Sequence, residues 1–446
     1  VLSTTIHKDL GGVSITINLS THPITTHLNN YFPDFRSALH LFTFYPHFHK
    51  PYCYYYFIYI ILIIMKFSCT QENFSQALQI VSHITVKNNS LPILNNVLLK
   101  IENKELTLIT TNLEMAINCR VRAKIEEEGE YTVPANLFNE YISVSSIGKI
   151  DVISQDSGLM VQTADNDKTL IKGSPATEFP LIPQVERENV FAVLVDDFKR
   201  IVQQLLFAVS KNEARPELCG VFFNFNPENK IGSVVCAATD SYRLAEKTVK
   251  MVVGDKYSKA NKKVIIPAKA LQEVLRITAT FHEDLEDNPP VEMVIAENQI
   301  LFSYGSVEIV SRLVEGQYPD YQQIIPNNFK TTAEVGVAEW IKRIKAASIF
   351  SNIGINGVEV KFFGGSEQKT TFTSMNGQLG EHSSEMLIKI EGDNNSILLN
   401  HRYLLDGLSA LGSEDGYIKL ITPDSPCVLQ PKGREDYLYI VMPIRQ

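Results

Sequence analysis

The pattern of apolar and polar positions along the chain repeats three times. Apolar residues at three- and four-residue steps predict amphipathic helices over residues 72–86, 196–210 and 337–350, with Phe74, Phe198 and Trp340 at the same early position. After each helix, period-two alternation predicts a pair of strands: 97–101 with 106–110, 221–225 with 233–238, and 358–363 with 369–374. A strand running into a second helix marks each copy again, at Pro134, Pro267 and Asn400, a constant interval of 133 residues. Proline suits the first turn of a helix, where its missing N–H costs nothing, and asparagine suits a cap. Each copy thus carries two helices against antiparallel strands, an α+β arrangement. Three unrelated α+β domains are the alternative, and the shared register argues against them.

The first 64 residues do not share this pattern. They hold six of the 10 histidines and seven of the 18 tyrosines, with Lys8, Asp9, Asp34, Arg36 and Lys50 as their only charged side chains. Their closing apolar run, residues 52–64, is short for a membrane span of roughly 20 residues. It also lacks the basic start and small-residue cleavage site of a signal peptide. We read 1–64 as translation of upstream DNA or a disordered extension, with Met65 as the start. A membrane tether is the functional alternative. The repeats then divide as 65–187, 188–327 and 328–446.

Composition narrows the chemistry. A length of 446 residues with 44% hydrophobic and 20% charged side chains fits several globular domains. The six cysteines are scattered, with no CxxC pair and no His/Cys/carboxylate cluster at metal spacing, so no metal or cofactor is expected. They suit a reducing cytoplasm. The acidic runs 126–128 and 283–287 sit beside turn signals and read as solvated loops rather than a two-metal polymerase or nuclease centre. At a net charge of -9, any DNA contact has to come from a local basic surface.

Four strings carry a resemblance: Ser90-Leu-Pro-Ile-Leu94, Ala238-Thr-Asp-Ser-Tyr-Arg-Leu-Ala245, Gln317-Tyr-Pro-Asp-Tyr321 and Tyr439-Ile-Val-Met-Pro-Ile-Arg445. With the threefold repetition, residues 65–446 resemble the bacterial sliding clamp family, the beta subunit of DNA polymerase III. The resemblance implies three clamp domains per subunit, a head-to-tail homodimeric ring around double-stranded DNA, and helices inside an outer wall of sheet. It implies a non-enzymatic processivity factor, and a cleft between the second and third domains for apolar peptides. The peptides come from the polymerase III catalytic subunit, the clamp loader, and other DNA polymerases and repair proteins. Rival readings are a non-DNA peptide-binding adaptor and a catalytic polymerase or nuclease subunit.

Carried over residue by residue, the cleft comprises Leu218, Thr239, Ser241, Tyr242, Arg243, Leu244, Pro319, Ile324, Pro426, Ile440 and Met442, with Arg243 orienting the peptide. Met442 suits a pocket that accepts several peptides. Ser241 and Tyr242 stand where the family more commonly has Gly and His. Without the resemblance, Leu218, Leu244 and Ile440 read as core. The DNA-facing set is Lys87, Lys149, Lys199, Arg200, Lys211, Arg215, Lys269, Arg276, Lys342, Arg343, Lys345 and Arg402. Read alone, these are ordinary solvated helix charges. The family often has Arg where Asn88 stands. The dimer interface would pair Ile349 and Phe350 with a strand carrying Thr169 and Ile171; some relatives have an aromatic at the position of Thr169.

Overall fold

The computed structural model describes residues 65–446 apart from 86–89, 156–157, 184, 229, 282–286, 353 and 446. It divides the chain into Val1–Ile63 and Ile64–Gln446. In the first unit only short strands are described, Thr5–Ile6 with Ile17–Asn18 and Asp9–Leu10 with Val13–Ser14.

Among the described residues, the second unit holds six α-helices. They are α1 Gln71–Ser82, α2 Ala135–Val144, α3 Val195–Leu205, α4 Ala268–Thr280, α5 Val337–Ser348 and α6 His401–Ala410. The first, third and fifth begin within a residue of the expected starts but end earlier, because 3-10 geometry takes over at Leu206–Ala208 and α5 closes at the Ile349 cap. Phe74, Phe198 and Trp340 are fully buried, as their shared position requires. Pro134 and Pro267 stand one residue before the helix, at the cap, rather than inside the first turn. Each closes a strand whose extended backbone leads directly into the helix. Asn400 is the cap of α6, its side chain accepting from the Arg402 N–H at 2.9 Å. Asp196 and Asp197 place negative charge in the first turn of α3, where the helix dipole favours it.

The helices pair as α1 with α2, α3 with α4 and α5 with α6. Polar contacts link the pairs. Arg276 of α4 donates to the Ile80 carbonyl of α1 at 2.8 Å, and Gln204 of α3 donates to the Ala410 carbonyl of α6 at 2.7 Å. The helix order is therefore α2-α1-α4-α3-α6-α5.

Among the described residues, four antiparallel sheets back this series, and two of them cross the boundaries between repeats. The eight-stranded sheet continues from the first repeat into the second where Met115–Val121 pairs with Val307–Arg312. The nine-stranded sheet continues from the second into the third where Arg243–Lys250 pairs with Tyr437–Val441. The remaining sheets stop at single repeats: a five-stranded one ends on Lys168–Ile171 and a four-stranded one on Gly380–Leu387. These end strands occupy the repeat positions of the strands that make the two internal junctions. Gly380–Leu387 is the counterpart of Met115–Val121 and Arg243–Lys250; Lys168–Ile171 is the counterpart of Val307–Arg312 and Tyr437–Val441.

Candidate partner cleft and DNA-facing surface

Strand alternation builds the cleft. At the junction of the second and third repeats, Leu244 faces Ile440, and Ile440 faces Val428, across three adjacent strands. Their side chains share the sheet face turned away from the helices and form, with Leu218, Ala237, Ile265 and Leu438, a hydrophobic cluster separate from the main core. Two residues along, the same face carries Tyr242, Met442 and Pro426 at the rim. Tyr242 is 64% exposed, Met442 and Pro426 are half-buried, and the Met442 N–H donates to the Tyr242 carbonyl at 2.9 Å. Leu218, Leu244 and Ile440 thus serve both readings open to them in sequence: they are buried, and they floor a surface site.

The loop between repeats supplies the opposite wall. Tyr318 and Tyr321 pack into the same cluster, and the Phe222 ring stacks on Tyr318 at 5.0 Å. The Tyr318 hydroxyl donates to the Ala237 carbonyl at 3.3 Å. Tyr321 hydrogen-bonds Glu246, whose carboxyl burial pushes above its usual range. Pro319 and Ile324 lie on this wall, half-buried and exposed respectively. Sequence reasoning left Tyr318, Tyr321 and Val428 out of the site. Extending the alternation from Ile440 to the neighbouring strand finds Val428.

The turn 239–242 is held from within. Asp240 accepts from the Tyr242 and Arg243 N–H groups at 3.0 and 3.1 Å, and Thr239 accepts from the Ser241 N–H at 3.1 Å. Ser241 has φ 78°, a left-handed conformation that glycine adopts without cost. Arg215 reaches this turn, donating to Ser241 Oγ at 3.1 Å and to Glu217 at 3.0 Å.

Arg243 does not face the cleft. Being one residue from Leu244, its side chain leaves the sheet on the helix side, where it is 10% exposed. It bonds Asp240 at 2.9 Å, Asp406 at 2.6 Å and the Phe207 carbonyl at 2.6 Å. The rings of Phe207 and Tyr403 flank its guanidinium at 5.4 and 4.6 Å. Its donors join the second repeat to the third in this structure.

Arg276, expected to face DNA, also makes bonds within the chain. It is engaged by Glu273 and the Ile80 carbonyl at the first junction, where His83 also meets Glu273 at 2.8 Å. Ile171 is a core residue with its side chain turned inward, beside half-buried Thr169. Ile349 is 67% exposed, and Phe350 stacks on His382 of the end strand Gly380–Leu387 at 6.0 Å.

The other basic residues fall into two groups. Lys199 pairs with Asp196 at 3.9 Å, Arg200 with Asp197 at 3.0 Å, Arg343 with Glu339 at 2.9 Å, Lys269 with Glu114 at 3.9 Å and Lys149, on a strand, with Asp151 at 2.7 Å. Lys211, Lys342, Lys345 and Arg402 are exposed and make no ion pair among the described residues. Lys87 and Asn88 lie outside the described residues. Among those described, no group of three His, Cys, Asp or Glu side chains converges as a metal site, and no helix is long and apolar enough to cross a membrane.

Three α+β repeats, joined edge to edge and offering an apolar surface site, define a repeat scaffold built for binding. Family models for the DNA polymerase III beta subunit match in chain order: the N-terminal domain over 65–183, the central domain over 192–320 and the C-terminal domain over 322–445. The chain belongs to this family of non-catalytic processivity factors. The beta sliding clamp of Staphylococcus aureus is 28% identical over 392 residues, covering 85% of this chain and 99% of that protein. The sliding clamp of Pseudomonas aeruginosa, solved bound to griselimycin, superposes with a TM-score of 0.77 at 25% identity, covering 86% of this chain and 100% of that one. That of Bacillus subtilis gives 0.77 at 25%, covering 86% and 99%.

Proposed function

We propose that this protein closes head to tail with a second copy into a ring around double-stranded DNA, as clamp domains 65–187, 188–327 and 328–446. The observation that carries this reading is the pair of end strands. Lys168–Ile171 and Gly380–Leu387 are the repeat counterparts of strands that pair at both internal junctions. Pairing them between two copies extends the series of six helices to twelve and uses both ends of each chain. The end strands differ in charge, with Glu381 and Glu385 on one and Lys168 and Lys172 at the other, which favours unlike ends meeting. Ile349 and Phe350 sit beside this seam, and Thr169 lies on the opposing strand.

In this reading the ring works in the cytoplasm and holds DNA through phosphates alone, since phosphate contacts carry affinity without sequence information. Among the described residues of the expected DNA-facing set, Lys211, Lys342, Lys345 and Arg402 are exposed without ion pairs and can meet phosphates. The cleft takes apolar peptides from the polymerase III catalytic subunit, the clamp loader, and other DNA polymerases and repair proteins. Light scattering of the full chain should give a dimer, and the dimer should stay on closed circular DNA but leave the same DNA once linearised. A monomer, or equal loss from both forms, overturns the ring. Reversing the charge of Lys211, Lys342, Lys345 and Arg402 should flatten the salt dependence of binding to linear duplex by about 0.9 for each phosphate no longer neutralised.

A further inference from the structure

The strands that form the cleft at one end carry a different surface at the other. Ser233–Thr239 and Arg243–Lys250 run from the cleft turn to the loop residues 230–232 and 251–261. From Arg243 to Lys250 is about 24 Å of extended chain. Two asparagines bind these loops into one platform. Asn226, nearly buried and at φ 46°, donates to the Ser258 and Ala260 carbonyls at 3.0 and 3.2 Å and accepts from the Gly232 N–H at 2.8 Å. Asn261 donates to the Phe225 and Asn226 carbonyls at 3.0 and 2.9 Å.

This platform displays two large apolar side chains to solvent. Ile231 is 70% exposed and Val253 72% exposed. They are neighbours: the Val253 side chain lies against Gly232, where an added Cβ would come within 2.9 Å of it, and the Met251 N–H donates to the Gly232 carbonyl at 2.8 Å. Lysines surround them. Residues 250–263 contain five lysines and one carboxylate, Asp255, in a chain whose net charge is -9. Sheet pairing brings Lys250 opposite Ser233 and Lys262 opposite Phe225, the same end of the sheet. Lys256 is taken by Glu292, whereas Lys250, Lys259 and Lys262 make no ion pair among the described residues.

We propose that this platform is a second docking surface, for an acidic protein segment that carries an apolar residue between its carboxylates. Lysines without local partners, in an otherwise acidic protein, leave a positive potential for carboxylates to complete. The Ile231–Val253 pair gives an apolar anchor that a bare phosphate backbone has no group to match. Its position at the far end of the cleft strands means that one molecule can hold a cleft peptide and this partner together.

The test uses the full-length protein and a fluorescein-labelled peptide with a Leu-Phe pair between two runs of glutamate, read by anisotropy. Binding should weaken as salt rises. The exposed triple variant Lys250→Glu/Lys259→Glu/Lys262→Glu should lose at least tenfold in affinity. Ile231→Ser/Val253→Ser should lose several-fold, as should a peptide with the Leu-Phe pair replaced by Ser-Ser. Saturating the cleft with a polymerase-derived peptide should leave the Kd unchanged. Equal affinity for parent and triple variant overturns the proposal, and so does competition by the cleft peptide. Tighter binding of a short DNA duplex or of vesicles with anionic lipid through these same lysines overturns it in favour of those ligands. None of these readouts depends on ring closure.

Discussion

Replacing Arg243 with alanine should weaken the joint between the second and third repeats far more than it weakens peptide capture. The guanidinium makes three charge-assisted bonds, to Asp240, Asp406 and the Phe207 carbonyl, and lies between the Phe207 and Tyr403 rings. Bonds to charged groups contribute about 1.5–3 kcal/mol each, and the ring contacts add about 1 kcal/mol. Much of this is offset in the variant. Asp240 keeps two backbone N–H donors, and the Asp406 carboxylate, 47% exposed, regains water. The Phe207 carbonyl alone is left without this donor. A net loss of about 3 kcal/mol follows, at the lower edge of the range for breaking a buried ion pair. Lysine should rescue little, because a single ammonium cannot replace a planar fork that meets two carboxylates. Urea unfolding should show an earlier midpoint for the transition of the second and third repeats, with the affinity of folded protein for a labelled polymerase-derived peptide changed less than threefold. An unchanged midpoint with peptide affinity abolished would refute the reasoning and return Arg243 to the cleft.

Three further outcomes are expected. Ile349→Ala with Phe350→Ala should raise the dimer dissociation constant while leaving the monomer folded, since burial of a large apolar side chain contributes roughly 1.5–3 kcal/mol; unaltered association in analytical ultracentrifugation would remove these residues from the seam. Met442→Ala should weaken peptide binding at least severalfold without changing dimer mass, and equal titration curves would move the cleft elsewhere. For Asp436, burial opposes ionisation, but hydrogen bonds from Arg434 and Lys247 outweigh it and bring its pKa from 3.8 to about 2. Its stabilisation is therefore present above pH 3.8 and lost as pH falls through about 2. Asp436→Asn should cost about 1 kcal/mol at neutral pH once solvent screening is allowed for, and the gap should close in acid; a gap independent of pH counts against the pair.

Much of the fold was legible because its signals are local. The period-two segments became strands, the three amphipathic patterns became α1, α3 and α5, and the 133-residue interval marked real strand-to-helix corners. What escaped was set by groups distant in sequence. Nothing near Arg243 announces Asp406 or Phe207, and nothing near Arg276 announces Ile80. Sequence alone shows a basic residue near a binding motif and not the junction to which it is committed. The burial of Ile171 within the chain has a simpler reason. In a strand, adjacent side chains point to opposite faces, and it is Leu170 that looks outward, 40% exposed. The loop wall of Tyr318 and Tyr321 was visible as a motif, but its place over Leu244 depends on Phe222 and Glu246, one element away in space and many in sequence.

The two internal junctions and the free end strands differ in the charges they carry, and the difference bears on how the proposed ring would admit DNA. Across the second junction run buried charges: Arg243, and Lys247, 1% exposed, bonded to Asp436 at 2.5 Å. Across the first, Arg276 and His83 meet at Glu273, itself nearly buried. Separating either junction strands a charge or a carbonyl that was satisfied from the far side, a cost of several kcal/mol before any apolar surface is exposed. The counterpart strand at the chain's end opens with Gly380 where the others open with Met115 and Arg243. Its charges, Glu381 and Glu385, are exposed, and water replaces the partner of an exposed carboxylate at little cost. What remains to hold a seam there is backbone pairing and the apolar contact of Ile349 and Phe350. In the ring proposed here, the opening is therefore expected between subunits, with the repeats within each subunit staying together.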